Sequence, residues 1–123
     1  MDKDLYDKGM KIRRSVLGDA YVDRALAKSN AFNDPLQELV TTYCWGWAWG
    51  REELPKRDRS LITVAMLAAL YRTDEMRGHM QRALDNGVTE TELKGLITHV
   101  AFYAGWPCAV NAGRIGLEVF GPK

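Results

Sequence analysis

Residues 58–72 read DRSLITVAMLAALYR, and from Leu61 to Tyr71 this stretch carries apolar side chains on every side of a helical wheel. A helix of that kind belongs at the centre of a bundle or in a subunit interface. The run is broken by Thr63 and is about half the roughly 20 residues that a bilayer span needs, so no membrane segment is expected. The flanks punctuate it in helical terms. On the N-terminal side lies GREELPKRD, a polar loop with a proline at residue 55, and on the C-terminal side Arg72-Thr73-Asp74 breaks the run and opens a further helix.

Working outward, Met76, Met80, Ala83 and Leu84 mark the inner stripe of that next helix, which Asn86-Gly87 closes with Val88 as its hydrophobic contact. Thr89 and Glu92 have the spacing of a capping box, opening a helix with Leu93, Leu96, Ile97, Val100 and Ala101 turned inward. Gly105-Trp106-Pro107 ends it, and Pro107 starts a last helix carrying Val110, Ile115, Leu117 and Val119. Toward the N-terminus, a weakly amphipathic helix over 4–17 stops at Gly18, and Asp19 is expected to cap a short one through Leu26. Asp34, Pro35 and Gln37 predict a second capping box. It leads a helix whose buried stripe would be Leu36, Leu39, Val40, Tyr43, Cys44 and Trp47, ending near Trp49-Gly50.

No stretch alternates with a period of two, so the fold class is all-α, a bundle of six or seven helices in one domain, 1–123. At 123 residues and 46% apolar the chain can bury one core, which excludes a disordered tail or a two-domain enzyme. The 61–71 helix is hard to cover with the helices available, so self-association is expected. Seventeen basic against sixteen acidic residues leave a charge of +1 with no basic block, which argues against a nucleic-acid partner. The N-terminal MDKDLYDKG lacks the apolar segment of a signal peptide, and the expectation is a soluble cytoplasmic protein.

Cys44 and Cys108 lie far apart in the chain, the two histidines are His79 and His99, and no metal-ligand spacing, phosphate loop or serine elbow is present. Neither metal nor cofactor is expected. Among residues able to carry chemistry, His79 comes first: Arg72, Glu75 and His79 stand at i, i+3 and i+7 along one helical face, and an imidazole near a carboxylate suits general acid or base work. The same pattern also fits a core histidine beside a solvated ion pair. His99 reads as a packed or interface histidine. Cys44, on the expected stripe, should be inert, and Cys108 reads as a small buried hydrophobe despite its helix-start position. Arg51 and Arg57 read as solvated loop charge, whereas Arg59, at the start of the most apolar helix, needs a partner, either a protein carboxylate or a ligand. Trp45, Trp47 and Trp49 alternate, so only one or two can face a common pocket.

The order of motifs resembles the carboxymuconolactone decarboxylase family, of AhpD-like fold. The carriers are Tyr-Cys-Trp-Gly at 43–46, Arg-Asp-Arg-Ser-Leu-Ile-Thr at 57–63, Ala-Met-Leu-Ala-Ala-Leu at 65–70, Gly-His-Met at 78–80, Asn-Gly-Val-Thr at 86–89 and Tyr-Ala-Gly-Trp-Pro at 103–107. In the peroxidase branch of that fold a Cys-x-x-Cys-x-x-x-His motif falls where this chain has Arg72, Glu75 and His79. The histidine is kept and both thiols are absent, so dithiol peroxide reduction has no reagent. The resemblance implies cofactor-free loss of carbon dioxide from 4-carboxymuconolactone, giving the 3-oxoadipate enol-lactone, in aromatic-compound breakdown by a hexamer built as a trimer of dimers. It assigns proton delivery to His79 with Glu75 beside it, carboxylate or oxyanion binding to Arg59 and Arg72, and a dry pocket to Trp106 with Trp45. Family decarboxylases usually read Trp-Gly-Glu where this chain has Trp45-Gly46-Trp47, which places Trp47 against the substrate and removes a carboxylate. An enzyme acting on another small carbonyl or carboxylate compound, and a non-catalytic helical oligomer that binds a small molecule, are the competing readings.

Overall fold

A computed structural model describes residues 2–121, and those residues form helices and turns with no strand. The helices are α1 (Lys3–Leu17), α2 (Asp19–Ala27), α3 (Asp34–Leu39), α4 (Lys56–Ala69), α5 (Thr73–Ala83), α6 (Glu90–Tyr103) and α7 (Trp106–Phe120), with a π-helical segment, Val40–Ala48, continuing α3 without a break. They pack as two compact units divided between residues 55 and 56.

In the first unit α1 lies along the π-helical segment at backbone distance. A Cβ on Gly9 would stand 1.9 Å from the Thr41 carbonyl oxygen, and one on Gly46 would stand 2.5 Å from that of Leu5, so two glycines admit the contact. Thr41, Thr42, Trp45 and Gly46 form the buried face, and Trp45 joins Val16, Leu17 and Val22 in a small core, its ring 4.9 Å from that of Trp49. The expected stripe therefore faces the other way: Leu36, Leu39, Tyr43, Cys44 and Trp47 are all exposed. Leu36 and Leu39 lie in α3, which buries no residue, and for Tyr43, Cys44 and Trp47 the cause is the pitch. A π-helix takes more residues per turn than the 3.6 of an α-helix, so a stripe projected with α periodicity drifts off the buried face after Val40. The first capping box is also absent. Asn33 is the N-cap and makes no side-chain cap bond, the Asp34 carboxylate accepts from the Ser29 hydroxyl, and the Gln37 amide oxygen accepts from the buried guanidinium of Arg13 at 2.9 Å. Likewise Gly18, not Asp19, is the N-cap of α2, because the chain turns there with φ 88°.

The second unit is built on α4, which buries Ser60, Val64 and Ala68, one residue per four, and leaves Ile62, Met66 and Leu70 exposed. The helix expected to be covered all round is thus half-covered within the chain. Val64 and Ala68 pack with Met76, Met80 and Ala83 of α5, with Leu93, Val100 and Ala101 of α6, and with Cys108, Ala112 and Ile115 of α7. The α5–α6 turn follows the sequence reading. Gly87 takes φ 100°, the Val88 amide donates to the Ala83 carbonyl at 2.9 Å, and the Thr89–Glu92 capping box closes in both directions. In α7 the inward stripe runs through Cys108, Ala112 and Ile115, and Val110 and Leu117 are exposed. No helix among the described residues is long and apolar enough to cross a membrane.

Candidate active site

The α4–α5 corner is tight and unusual. Tyr71 holds φ 60°, a left-handed conformation uncommon for a side chain with a Cβ, and Arg72 follows at φ −86°, ψ 72° before α5 begins. Backbone bonds from the amides of Leu70, Tyr71 and Arg72 to the carbonyls of Met66, Ala68 and Leu67 tie the corner to the end of α4. Residues held this way concentrate at functional sites because the surrounding structure must enforce them. Arg72 itself is exposed at the N-cap of α5 and supplies no side-chain cap, while Glu75 is exposed in the first turn.

His79 stands one turn beyond Glu75, between the fully buried Met76 and Met80 stripe and the solvent-facing side of α5. Its ring is largely withdrawn from water. That burial lowers its pKa from 6.5 to about 4, against a smaller upward pull from Glu75. At neutral pH the imidazole is therefore uncharged, with one nitrogen able to donate and the other to accept. The neighbouring charges on α5 are otherwise engaged: Arg77 bonds to Asp74 at 3.2 Å and to Glu118 of α7 at 2.9 to 3.0 Å.

Arg59 is half-buried next to Ser60 on α4. Arg57 pairs with Asp58 and Glu92, and Arg51 with Glu53, so both loop arginines are neutralised within the chain. Trp106 is exposed at the start of α7, its ring edge-on to Phe102 at 5.1 Å, beside an apolar groove of about 370 Å3 shared with Ile97, Ala101 and Val110. In the first unit, Trp45 is buried, and Trp47 is exposed with the Arg51 guanidinium 4.7 Å from its ring centre. Glu75 and His79 thus lie one turn apart on α5, with Arg72 at its N-cap. Arg59 and Trp106 belong to the same unit on α4 and α7, and Trp45 and Trp47 belong to the other unit.

His99 is exposed, not packed; it stacks on Tyr103 at 4.6 Å and lines a groove of about 450 Å3 with Leu61, Ile62, Ala65 and Leu96. The Cys108 thiol is buried and donates to the Gly105 carbonyl at 3.2 Å. Cys44, although exposed as a residue, has its pKa raised by partial burial of the sulfur, which Arg13 opposes more weakly.

The structure adds one contact that the sequence reading passed over. Asn111 of α7 donates through its side-chain amide to the Thr73 hydroxyl at the start of α5, 3.2 Å away. The available signal was an amide residue, a poor helix former, between Val110 and Ala112 in an otherwise apolar stretch of helix.

Residues 34–116 match the carboxymuconolactone decarboxylase family. The chain belongs to that family. It is 43% identical over 119 residues to a 4-carboxymuconolactone decarboxylase of Acinetobacter baylyi, spanning 97% of this chain and 89% of the relative. It is 39% identical over 108 residues to a nitrosuccinic acid decarboxylase, npaB, of Metarhizium robertsii, spanning 88% and 76% of the two chains. A 4-carboxymuconolactone decarboxylase of Pseudomonas putida shares 53% over 45 residues, 37% of this chain and 94% of that one. The match at 34–116 takes in sequence from both compact units, including Trp45, Trp47, Arg59, Arg72, Glu75, His79 and Trp106.

Proposed function

We propose that this protein is a cofactor-independent carboxy-lyase that releases carbon dioxide from 4-carboxymuconolactone and yields 3-oxoadipate enol-lactone. Two relatives named for that decarboxylation support it, one of them at 43% identity over nearly the whole chain. Within the chain, the observation that carries the reading is a shielded, neutral imidazole one helical turn from a carboxylate.

The chemistry asks little beyond that pair. When the bond from the ring carbon to the departing carboxylate breaks, its electrons pass through the ring double bond to the lactone carbonyl and form a dienolate. The ring serves as its own electron sink. The protein has to hold anionic groups, stabilise the oxygen that gains charge, and deliver one proton to carbon. Arg59 and Arg72 hold the carboxylates. His79 is neutral in the free protein, and the substrate's negative charges favour its imidazolium, so substrate binding itself loads the proton donor; Glu75 orients the ring and shares its proton. Trp106, in the same unit as His79, is the aromatic residue assigned to excluding water from the reacting centre, whereas Trp45 packs in the core of the first unit and Trp47 lies beside Arg51. By the family resemblance Trp47 takes the place of a carboxylate, so the proton duty is assigned to Glu75 and His79.

The exposed apolar residues Ile62, Met66, Leu70 and Tyr71 support a homo-oligomer, for which the family points to a hexamer, and residues 1–123 are taken as one family domain acting in the cytoplasm. A steady-state assay of carbon dioxide release from 4-carboxymuconolactone tests the activity. His79→Ala should lose ~100-fold or more in kcat, and Glu75→Gln should lose less. Absence of turnover in the unmodified protein, or full turnover in His79→Ala, refutes the assignment. Turnover of nitrosuccinic acid in place of the lactone would move the protein to the second decarboxylation named among its relatives.

A further inference from the structure

We infer that Asn111 and Thr73 form a clamp between α7 and α5 that holds the first turn of α5 in register, making both positioning residues for the Glu75–His79 pair. The inference rests on the proposed roles of that pair.

The first turn of α5 is short of the usual restraints. Its N-cap is Arg72, which makes no side-chain cap bond, and the first backbone bond of the helix runs from the Met76 amide to the Arg72 carbonyl at 2.9 Å. The amides of Thr73, Asp74 and Glu75 are therefore the uncapped ones that every helix start presents. Immediately upstream, Tyr71 stands at φ 60°, a conformation that persists only where neighbouring contacts enforce it. A helix start of this kind frays first when the protein opens locally, and Glu75 lies inside it.

The Asn111–Thr73 bond supplies the missing restraint from the side. Its direction is fixed by chemistry. The Asn111 carbonyl oxygen accepts from the Arg114 guanidinium at 3.4 Å, and since arginine offers only donors, the amide nitrogen is the end that faces Thr73. The Thr73 hydroxyl accepts, which occupies the group a threonine would otherwise turn toward its own helix. One turn on, the exposed Arg77–Glu118 pair links the same two helices, but an exposed ion pair is a weak tether. The half-buried amide–hydroxyl bond is the one placed next to the corner, two residues before Glu75 and six before His79.

Breaking the clamp should release Glu75 from His79 and let water reach the ring, with little change in the arginine that binds substrate from α4. Thr73→Val, which keeps the side-chain shape and removes the hydroxyl, and Asn111→Leu are each expected to lower kcat ~10-fold with KM changed less than ~2-fold. The double variant should be no worse than either single one, because both remove the same bond. Thr73→Ser should restore the wild-type rate.

An activity-free readout separates this inference from the function on which it rests. The chain has two histidines, so the imidazole NMR titrations of His79 and His99 can be followed side by side. Burial is the larger influence on His79, so both single variants should raise its proton affinity about tenfold, toward the ordinary value, and leave the exposed His99 unchanged. Thr73→Ser should leave both titrations as in the wild type. An unmoved His79 titration in Thr73→Val and Asn111→Leu overturns the clamp whatever the rates do. If instead His79→Ala turns over the lactone at the full rate, the roles assigned to the pair fail, while the titration still decides whether the clamp exists.

Discussion

Acidifying the protein from pH 7 toward pH 4 should cost it stability through His79, and the size of the loss follows from the ring's burial. Its pKa is about 4 in the folded protein, against 6.5 for the group in an open chain. The folded-state value is the lower, so the unfolded chain binds the proton more readily. Stability is therefore complete above pH 6.5 and is lost as the pH falls through the window from 6.5 to about 4. At about 1.4 kcal/mol per pH unit, the full loss is about 3 kcal/mol, of which about 2 kcal/mol has appeared by pH 5. That is a large part of the roughly 5–15 kcal/mol that holds a small domain together. The measurement is urea unfolding at fixed protein concentration across this range, for the wild type and for His79→Gln, which cannot take up the proton. Carboxylates titrate in both proteins and drop out of the difference. Whatever the starting stability of His79→Gln at pH 7, the gap between the two curves should shift in its favour by about 2 kcal/mol on reaching pH 5. Parallel curves would show that the ring is solvated in the folded protein, and the account of a neutral, withdrawn imidazole would fail with it.

Two further expectations concern the packing of each unit. Gly9→Ala puts a methyl group 1.9 Å from the Thr41 carbonyl oxygen, where backbone and not a flexible side chain would have to move, so the variant should lose more than about 3 kcal/mol; near-wild-type unfolding would show that α1 and the π-helical segment separate easily. Ser60→Ala should be neutral or stabilising by up to about 1 kcal/mol in a thermal melt, since the hydroxyl is buried on the inner face of α4 with no hydrogen-bond partner, and a clear destabilisation would mean that it is satisfied after all.

The parts of this fold legible in the sequence are those fixed by neighbours in the chain. The stop at Gly18, the Asn86-Gly87 turn with Val88 tucked behind it, and the Thr89–Glu92 box each depend on a few consecutive residues, and each forms as read. The Asp34–Gln37 box has the same local grammar and does not form, because Arg13, in another helix, takes the Gln37 oxygen. Local signals describe what a residue can bond to, and tertiary competition decides what it does bond to. The site divides along the same line. Glu75 and His79 share a helix face by simple spacing, so their pairing could be read, whereas Asn111 reaches Thr73 across 38 positions and could not.

The outward stripe shows a different limit. Tyr43 and Trp47 in the π-helical segment, and Ile62, Met66 and Leu70 in α4, have the apolar pattern of buried positions and are exposed in the chain as it stands. An apolar pattern records that a surface is costly to leave in water, at about 25 cal/mol per Å2, and is silent on which surface will cover it. For α4 the inner face is satisfied by Val64 and Ala68 within its own unit, so the remaining apolar residues carry their cost until something outside the chain meets them. The 61–71 run reads as a helix for a bundle centre or a subunit interface, and within the chain one face of it is buried while Ile62, Met66 and Leu70 remain exposed. Within the chain one face of α4 is enough to build the core against which α5 packs.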